Sequence, residues 1–438
     1  MKDVFIIGGG PAGTKVAQEL RILGFEGNII IFEDRFLGGE CTNVGCIPSK
    51  TLYNFAKLKI LCKKQANVNI EINPSTIINT VKRVVNTIRK GIEYNLKQYD
   101  IKVENKIAKV KNNRIVIDEK EYDFDVLVLS TGSSPLTLGY KDEKILTNRE
   151  LWGNYFDDFI NEVSKGIKVL IVGGGYIGLE TASMLSTIFT NSNFTLIEKE
   201  KDIIFTADTD VINEIKKNFQ KNNQNLTILT NTTIKNITKN SDNLIVEYET
   251  PEGIKKEEFN FIIMSIGRKI NNPIENLKTL EFDEYLRLKN SENIWLAGDI
   301  TGGKMLAHKA EFQAKLVAHN IIQKKPTKRF TKTNDLQIPS IMFSIPEAGW
   351  YGLTEKEVKE MGIEYIVKKS FLSANARAIA DNSREGFVKI IYNNRGEILG
   401  THVVASNVSE LINIPMVYNS ETIVYPHPTL SEIFNELL

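Results

Sequence analysis

One pattern occurs twice in the chain, and it restricts the fold more than any other feature. Val4 to Ile7 is a short apolar run of β type, followed by Gly8-Gly9-Gly10-Pro11-Ala12-Gly13. A helical stretch then runs from Thr14 to Leu23, Gly24 stops it, and a second apolar run, Asn28 to Phe32, closes on Glu33. Lys168 to Val172, then Gly173-Gly174-Gly175-Tyr176-Ile177-Gly178, a helix to about Phe189, the run Phe194 to Ile197 and Glu198 repeat that order. In both copies the acid lies twenty residues past the last glycine. Glycines at this spacing let the backbone turn tightly and approach a pyrophosphate. The helix start offers N–H groups and a positive dipole end, and the acid accepts ribose hydroxyls. A glycine-rich packing turn accounts for one such stretch but not for two with the same acid spacing. Two dinucleotide-binding βαβ units are therefore expected. Glu198 repels a 2′-phosphate and favours NAD over NADP, with Lys199 and Lys201 close enough to soften the preference.

Between the two copies lies a stretch with two of the three cysteines, Gly38-Gly39-Glu40-Cys41-Thr42-Asn43-Val44-Gly45-Cys46-Ile47-Pro48-Ser49-Lys50. Two thiols so close can form a small disulfide loop, and a strained, accessible disulfide is readily reduced. Two unrelated buried cysteines are the alternative; a nucleotide fingerprint just upstream favours the redox pair. Pro48 suits the first turn of a helix predicted from Ser49 to about Ala66, on whose face Cys62 reads as inert packing. Further helices are expected at Pro74 to about Lys97 and from the stretch Met305–Glu311 to about Ile322. Strands are expected at Ile101–Val110, Arg114–Ile117, Phe124–Leu129, Ile262–Ile266 and Ile294–Asp299. Ser130-Thr131-Gly132 and Gly298-Asp299 end two of these strands. Asp299 is placed equally well for polyol hydroxyls or as a turn residue.

Length allows roughly two to four domains. Lys+Arg 55 against Asp+Glu 54 gives a formal net charge of +1, which calls for neither nucleic acid nor a membrane surface. No apolar run is long enough to span a membrane, no signal peptide is visible, and a lone cysteine pair suits a reducing compartment, so a cytoplasmic location is expected. Lys324 to Arg329 reads as a solvated linker. Beyond it, strands at Ile338–Phe343, Tyr365–Phe371, Gly386–Asn393 and Ile398–Val404 and short helices at Glu355–Met361 and Glu410–Ile414 form an α+β module without glycine fingerprints. Near the end stands Tyr425-Pro426-His427-Pro428-Thr429-Leu430-Ser431-Glu432. His427 is readable as a surface histidine or as a base held by Glu432.

Taken together, both fingerprints, Cys41-x4-Cys46 with Pro48-Ser49-Lys50, Thr131-Gly132, Gly298-Asp299 and His427-Pro428-Thr429-x-Ser431-Glu432 resemble the class I pyridine nucleotide–disulfide oxidoreductases over essentially the whole chain. Asn43 to Lys50, Leu306-Ala307-His308-Lys309-Ala310-Glu311, acidic Glu198, Asn375-Ala376-Arg377-Ala378 and Gly386-Phe387-Val388-Lys389 resemble the branch that oxidises dihydrolipoyl groups with NAD+. The resemblance implies an α/β protein with two Rossmann-like dinucleotide-binding domains and a C-terminal α+β dimerisation (interface) domain. The implied division is 1–145 for the first FAD-binding part, 146–270 for NAD, 271–328 completing the FAD domain, and 329–438 for the interface. FAD is assigned to Gly8, Gly10, Gly13, Glu33, Lys50, Thr131, Gly132, Asp299 and Ala307. NAD is assigned to Gly173, Gly175, Tyr176, Ile177, Gly178, Glu198 and Gly267.

The resemblance also implies the catalytic roles. Cys46 faces the flavin, Cys41 exchanges with substrate, Lys50 pairs with Glu180 near the flavin, and His427, oriented by Glu432, takes the dithiol proton in a homodimer whose site spans the interface. A lipoyl-bearing protein or free dihydrolipoamide is the implied partner. The alternatives are an NAD(P)H-dependent reductase of another disulfide and a non-catalytic flavoprotein subunit. Mercuric reductase is disfavoured because no C-terminal cysteine pair follows Cys62, and a soluble transhydrogenase because the cysteine pair is present. Two departures from the family pattern stand out. Glu40 precedes the first cysteine, where its carboxylate is expected to oppose a Cys41 thiolate, and the segment from Ile412 to His427 is short.

Overall fold

Short, mostly apolar strands make two parallel sheets, visible in a computed structural model that describes residues 3–323, 325–417 and 423–438. The chain divides into two units. One contains Met1–Ser49, Asn79–Leu136 and Arg268–Asp335, and the other Lys50–Ile78, Thr137–Gly267 and Leu336–Leu438.

In the first unit β1 (Val4–Ile7) lies beside β2 (Ile29–Phe32) on one edge and Val126–Leu129 on the other, all parallel. β3 (Lys102–Glu104) extends the sheet past β2, and Ile294–Leu296 extends it past Val126–Leu129. Strands buried on both faces read as continuous apolar runs rather than alternating ones, as parallel sheets require. One face packs the buried side of α1 (Pro11–Ile22), with Val16, Ala17 and Leu20, against Ala314, Val317 and Ala318 of the helix Ala307–Ile322. The other face meets a small antiparallel sheet through Val110, Ile115 and Ile117.

The second unit repeats the arrangement. Lys168–Val172 sits between Asn193–Ile197 and Phe261–Met264, with Leu226–Leu229 and Ile145–Leu146 outermost. A three-stranded antiparallel sheet, Thr233–Asn240, Asn243–Thr250 and Gly253–Phe259, covers one face through Ile237, Leu244 and Val246. The unit also holds a five-stranded antiparallel sheet ordered Ser340–Met342, Glu347–Gly352, Ile398–Ala405, Phe387–Asn393, Tyr365–Phe371. There Lys389 is buried and bonded to Asp208 at 2.8 Å, Asp210 at 3.0 Å and Glu355 at 2.7 Å, so its place in the strand is paired rather than apolar.

Some expected boundaries shift. The run Ile101–Val110 is two strands, β3 in the parallel sheet and Ala108–Lys111 in the antiparallel one, because the polar Asn105-Lys106 lets the chain change sheets. The helix read at Glu410–Ile414 is two single turns, Val408–Leu411 and Ile414–Val417. The helix expected from Ser49 begins at Cys46, which places Pro48 inside its first turn. Of the short segment before His427, residues 418–422 lie outside the described residues, as does Lys324 of the linker. Among the described residues no helix is long and apolar enough to cross a membrane.

Candidate active site

The first glycine fingerprint forms a cradle between β1 and α1. A Cβ on Gly8 would stand 2.3 Å from the Ser130 carbonyl oxygen, and one on Gly13 would stand 2.0 Å from the Gly8 oxygen. Neither position accepts a side chain, whereas Gly10 has nothing nearer than the Gly39 Cα at 3.8 Å and opens outward. Gly10 caps α1, and no side chain caps that helix end. Glu33 accepts hydrogen bonds from the Gly9 N–H at 2.7 Å and the Arg35 N–H at 2.9 Å. Burial holds its carboxyl above the usual range, against the pull of those two amides.

The second fingerprint has the same construction. Cβ atoms on Gly173 and Gly178 would meet the Ser265 oxygen at 2.5 Å and the Gly173 oxygen. Gly175 caps the helix Tyr176–Ile188 and has open space around its Cβ position, and no side chain caps that helix either. Buried Glu198 accepts from Gly174 N–H at 2.6 Å and Glu200 N–H at 2.8 Å. The repeat extends to a residue pair that glycine spacing does not announce. Ser130 Oγ donates toward the Ile7 and Gly8 carbonyls, and Ser265 Oγ toward those of Val172 and Gly173. The signal is in the sequence as Ser130-x-Gly132 and Ser265-x-Gly267, with Gly132 at φ +68° and Gly267 at φ +109°. Both cradles fit a dinucleotide: they combine room where phosphates approach with crowding where only glycine packs.

Thr131, Gly132, Asp299 and Ala307, also expected at the flavin end, lie in the first unit. Thr131 Oγ1 donates to the Asn271 carbonyl at 2.5 Å. Asp299 follows Gly298 (φ +89°), whose Cβ would meet the Ala12 Cβ at 3.0 Å, and accepts from Ser133 Oγ at 2.5 Å. Ala307 opens a helix that no side chain caps.

Cys41 lies in α2 (Gly39–Val44), and Cys46 opens α3 (Cys46–Ala66). Both are half-buried thiols, as is Cys62. Gly39, at φ +58°, packs so tightly that a Cβ would stand 2.8 Å from the Gly10 Cα, which seats α2 on the glycine cradle. Asn43 ties α2 down by donating to the Leu37 and Gly39 carbonyls, and Arg89 Nε donates to its Oδ1 at 3.0 Å. At the start of a 21-residue helix, Cys46 faces the positive end of the dipole, which favours thiolate over thiol. Glu40 is not the isolated carboxylate that its position suggests: Arg268 Nη2 meets its Oε2 at 2.5 Å.

Lys50 lies one turn beyond Cys46 in α3. In the second unit Lys50 Nζ donates to Glu180 Oε2 at 2.6 Å and sits 4.5 Å from the centre of the Phe343 ring. The Phe343 N–H donates to Glu180 Oε1 at 2.9 Å, so both carboxylate oxygens are held. Phe343 has no motif of its own and was not readable from spacing. Tyr176 stacks on Trp350 at 5.5 Å between centroids and 14° between planes, and burial raises its phenol pKa. Ile177, the next residue, is 40% exposed.

His427 is exposed, and its Nδ1 lies 2.8 Å from Glu432 Oε1. Glu432 Oε2 accepts from the Thr429 N–H at 2.7 Å. That amide first, and His427 second, hold its carboxyl below the usual range. An ionised carboxylate only accepts, so His427 Nδ1 donates to Glu432.

The fold is that of a known enzyme class. Residues 2–314 match the family described as pyridine nucleotide-disulphide oxidoreductase, and residues 338–438 match its dimerisation domain. The chain belongs to this family, whose cofactors are FAD and NAD(H). Among curated relatives, the dihydrolipoyl dehydrogenase of Buchnera aphidicola subsp. Baizongia pistaciae is 30% identical, covering 99% of this chain and 94% of that protein. The enzyme of the same name from Buchnera aphidicola subsp. Schizaphis graminum is 31% identical over 98% and 93%. Among solved structures, LpdA of Mycobacterium tuberculosis superposes with a TM-score of 0.86 at 22% identity, covering 100% of this chain and 98% of that one.

Proposed function

We propose that the chain is a dihydrolipoyl dehydrogenase, taking two electrons from a dihydrolipoyl group through Cys41 and Cys46 and delivering them to NAD+. What carries the reading is Cys41-x4-Cys46 placed on α2 and the start of α3, with full-length relatives of that activity at about 30% identity. Gly8, Gly10, Gly13, Glu33, Thr131, Gly132, Asp299 and Ala307 hold FAD with Lys50. Gly173, Gly175, Tyr176, Ile177, Gly178, Glu198 and Gly267 hold NAD. The FAD-binding part is 1–145 completed by 271–328, with NAD at 146–270 and the interface at 329–438.

FAD, when bound, supplies the two-electron relay between dithiol and nicotinamide. His427 Nε2 takes the proton from one substrate thiol, and Glu432 stabilises the imidazolium that forms. The substrate thiolate attacks Cys41 Sγ of the disulfide, and Cys46 leaves as thiolate at its helix N-terminus. The second substrate thiol then displaces Cys41 and passes its proton to the departing Cys41 sulfur, closing the lipoyl disulfide. Glu180 keeps the Lys50 ammonium in place one turn from Cys46. The enzyme is a homodimer in which His427 of each copy serves the disulfide of the other. It works in the cytoplasm.

Steady-state turnover of the FAD-loaded protein with dihydrolipoamide, first with NAD+ and then NADP+, tests this directly. Fast NAD+ reduction is expected. Failure with dihydrolipoamide alongside fast flavin reduction by NADH would assign the scaffold to a different disulfide.

A second prediction concerns Glu198. Removing its carboxylate in Glu198→Ala takes away a charge-assisted acceptor worth roughly 1.5–3 kcal/mol. The kcat/KM for NAD+ is expected to fall about 10- to 100-fold and that for NADP+ much less. A NAD/NADP ratio that does not change would mean that Glu198 does not read the ribose.

A further inference from the structure

We propose that Glu40 and Arg268 form a charge clamp that fixes the cysteine-bearing helix α2 to the Asp299 turn and sets how readily Cys41 becomes thiolate. The clamp rests on the redox reading of Cys41 and Cys46 above. It is carried by a chain of contacts within the first unit. Glu40 opens the first turn of α2, immediately before Cys41. Its Oε2 lies 2.5 Å from Arg268 Nη2, and the two side chains are only 21% and 15% exposed. Arg268 Nε donates to Ser133 Oγ at 2.7 Å, and Nη2 also donates to the Ser133 carbonyl at 2.9 Å. Ser133 Oγ in turn donates to Asp299 Oδ2 at 2.5 Å. The two strands that supply these groups, Ser133–Pro135 and Arg268–Ile270, pair antiparallel, so the guanidinium is held from a fixed ribbon. Near the Asp299 turn, Lys309 and Asp335 also pair at 3.5 Å.

The charges make the arrangement directional. A carboxylate on the residue before Cys41 opposes the thiolate that disulfide exchange requires, and Arg268 cancels it. The always-charged guanidinium donates to Glu40 Oε2, Ser133 Oγ and the Ser133 carbonyl. Glu40 and Arg268 are thus positioning residues that act through Cys41. Breaking the clamp from either side leaves opposite charges behind. Glu40→Gln makes the surround of Cys41 one charge more positive than in the parent, while Arg268→Met makes it one charge more negative. Removing both charges returns the net charge of the surround to that of the parent. A bridge that only braces α2 predicts something different: both single variants then move in the same direction, and the double variant does not recover.

The test is the rate at which iodoacetamide alkylates Cys41 in the dithiothreitol-reduced holoenzyme at neutral pH, read by mass spectrometry with Cys62 as the internal reference. A tenfold gain in thiolate carries a loss of about threefold in intrinsic nucleophilicity, so a net change of about threefold is the scale to expect for each tenfold shift. Cys41 is expected to react about threefold faster in Glu40→Gln, about threefold slower in Arg268→Met, and within about twofold of the parent rate in the double variant. Equal-direction shifts in the two single variants, or no shift in either, would overturn the clamp. If Arg268→Met fails to fold, Glu40→Gln decides the sign alone and Arg268→Lys must stay close to the parent rate; a slower or unmoved Glu40→Gln overturns the proposal. Alkylation needs neither lipoyl substrate nor NAD, so a protein that ignores dihydrolipoamide but keeps this order loses the substrate reading and retains the clamp.

Discussion

Replacing Cys46 with serine is expected to reduce dihydrolipoamide turnover by about 10,000-fold or more, the scale seen when a covalent catalyst loses its reacting atom. Serine is nearly isosteric, and the cradle lies in β1 and α1 rather than in α3, so FAD is expected to stay bound. Flavin absorbance per chain is the check on that point. Cys41→Ser is expected to be equally inactive toward dithiol. The two variants differ in one spectroscopic respect, because a thiolate lying beside oxidised flavin adds a long-wavelength absorption band. In the proposed assignment Cys41→Ser keeps that band and Cys46→Ser lacks it. The reverse pattern would exchange the roles of the two sulfurs. Loss of flavin from Cys46→Ser would show that the start of α3 belongs to the FAD cradle and not to the disulfide relay.

The parts of the molecule that could be read from residue order are those where local chemistry decides the backbone. Gly13 and Gly178 must be glycine because a Cβ would run into the carbonyl of the first glycine in each cradle, so spacing alone locates the two βαβ units. The acids at Glu33 and Glu198 are equally legible, since each caps its own glycine loop through a backbone amide before any ligand is considered. Strand limits were less readable. The split of Ile101–Val110 depends on which sheet each half joins, a tertiary choice that period-two patterning does not encode. The partners of the site's charges were not readable at all. Arg268 meets Glu40 across 228 positions of sequence, and the Phe343 amide meets Glu180 across 163. Glu40 therefore reads as a lone carboxylate beside a nucleophile until the fold supplies the cation, and the sign of its effect on Cys41 depends on that partner.

The second large effect is expected at His427. Substituting glutamine removes the base proposed to accept the dithiol proton and should lower dihydrolipoamide turnover by about 100- to 10,000-fold. Flavin reduction by NADH requires no thiol deprotonation and should be unchanged. Glu432 acts through the imidazole, holding Nδ1 at 2.8 Å, so Glu432→Gln is expected to cost less than His427→Gln and to shift the acid limb of the pH–rate profile. The same variant tests where the histidine works. If His427 serves the other copy, subunits carrying His427→Gln and subunits carrying Cys46→Ser complement each other. A mixed dimer then has one site built from an intact disulfide of the first and an intact histidine of the second. Random exchange makes about half the dimers mixed, each with one of two sites alive, so about a quarter of parent turnover should return on mixing two inactive proteins. If His427 served its own chain, every site in every dimer would lack one of the two groups, and mixing would restore nothing.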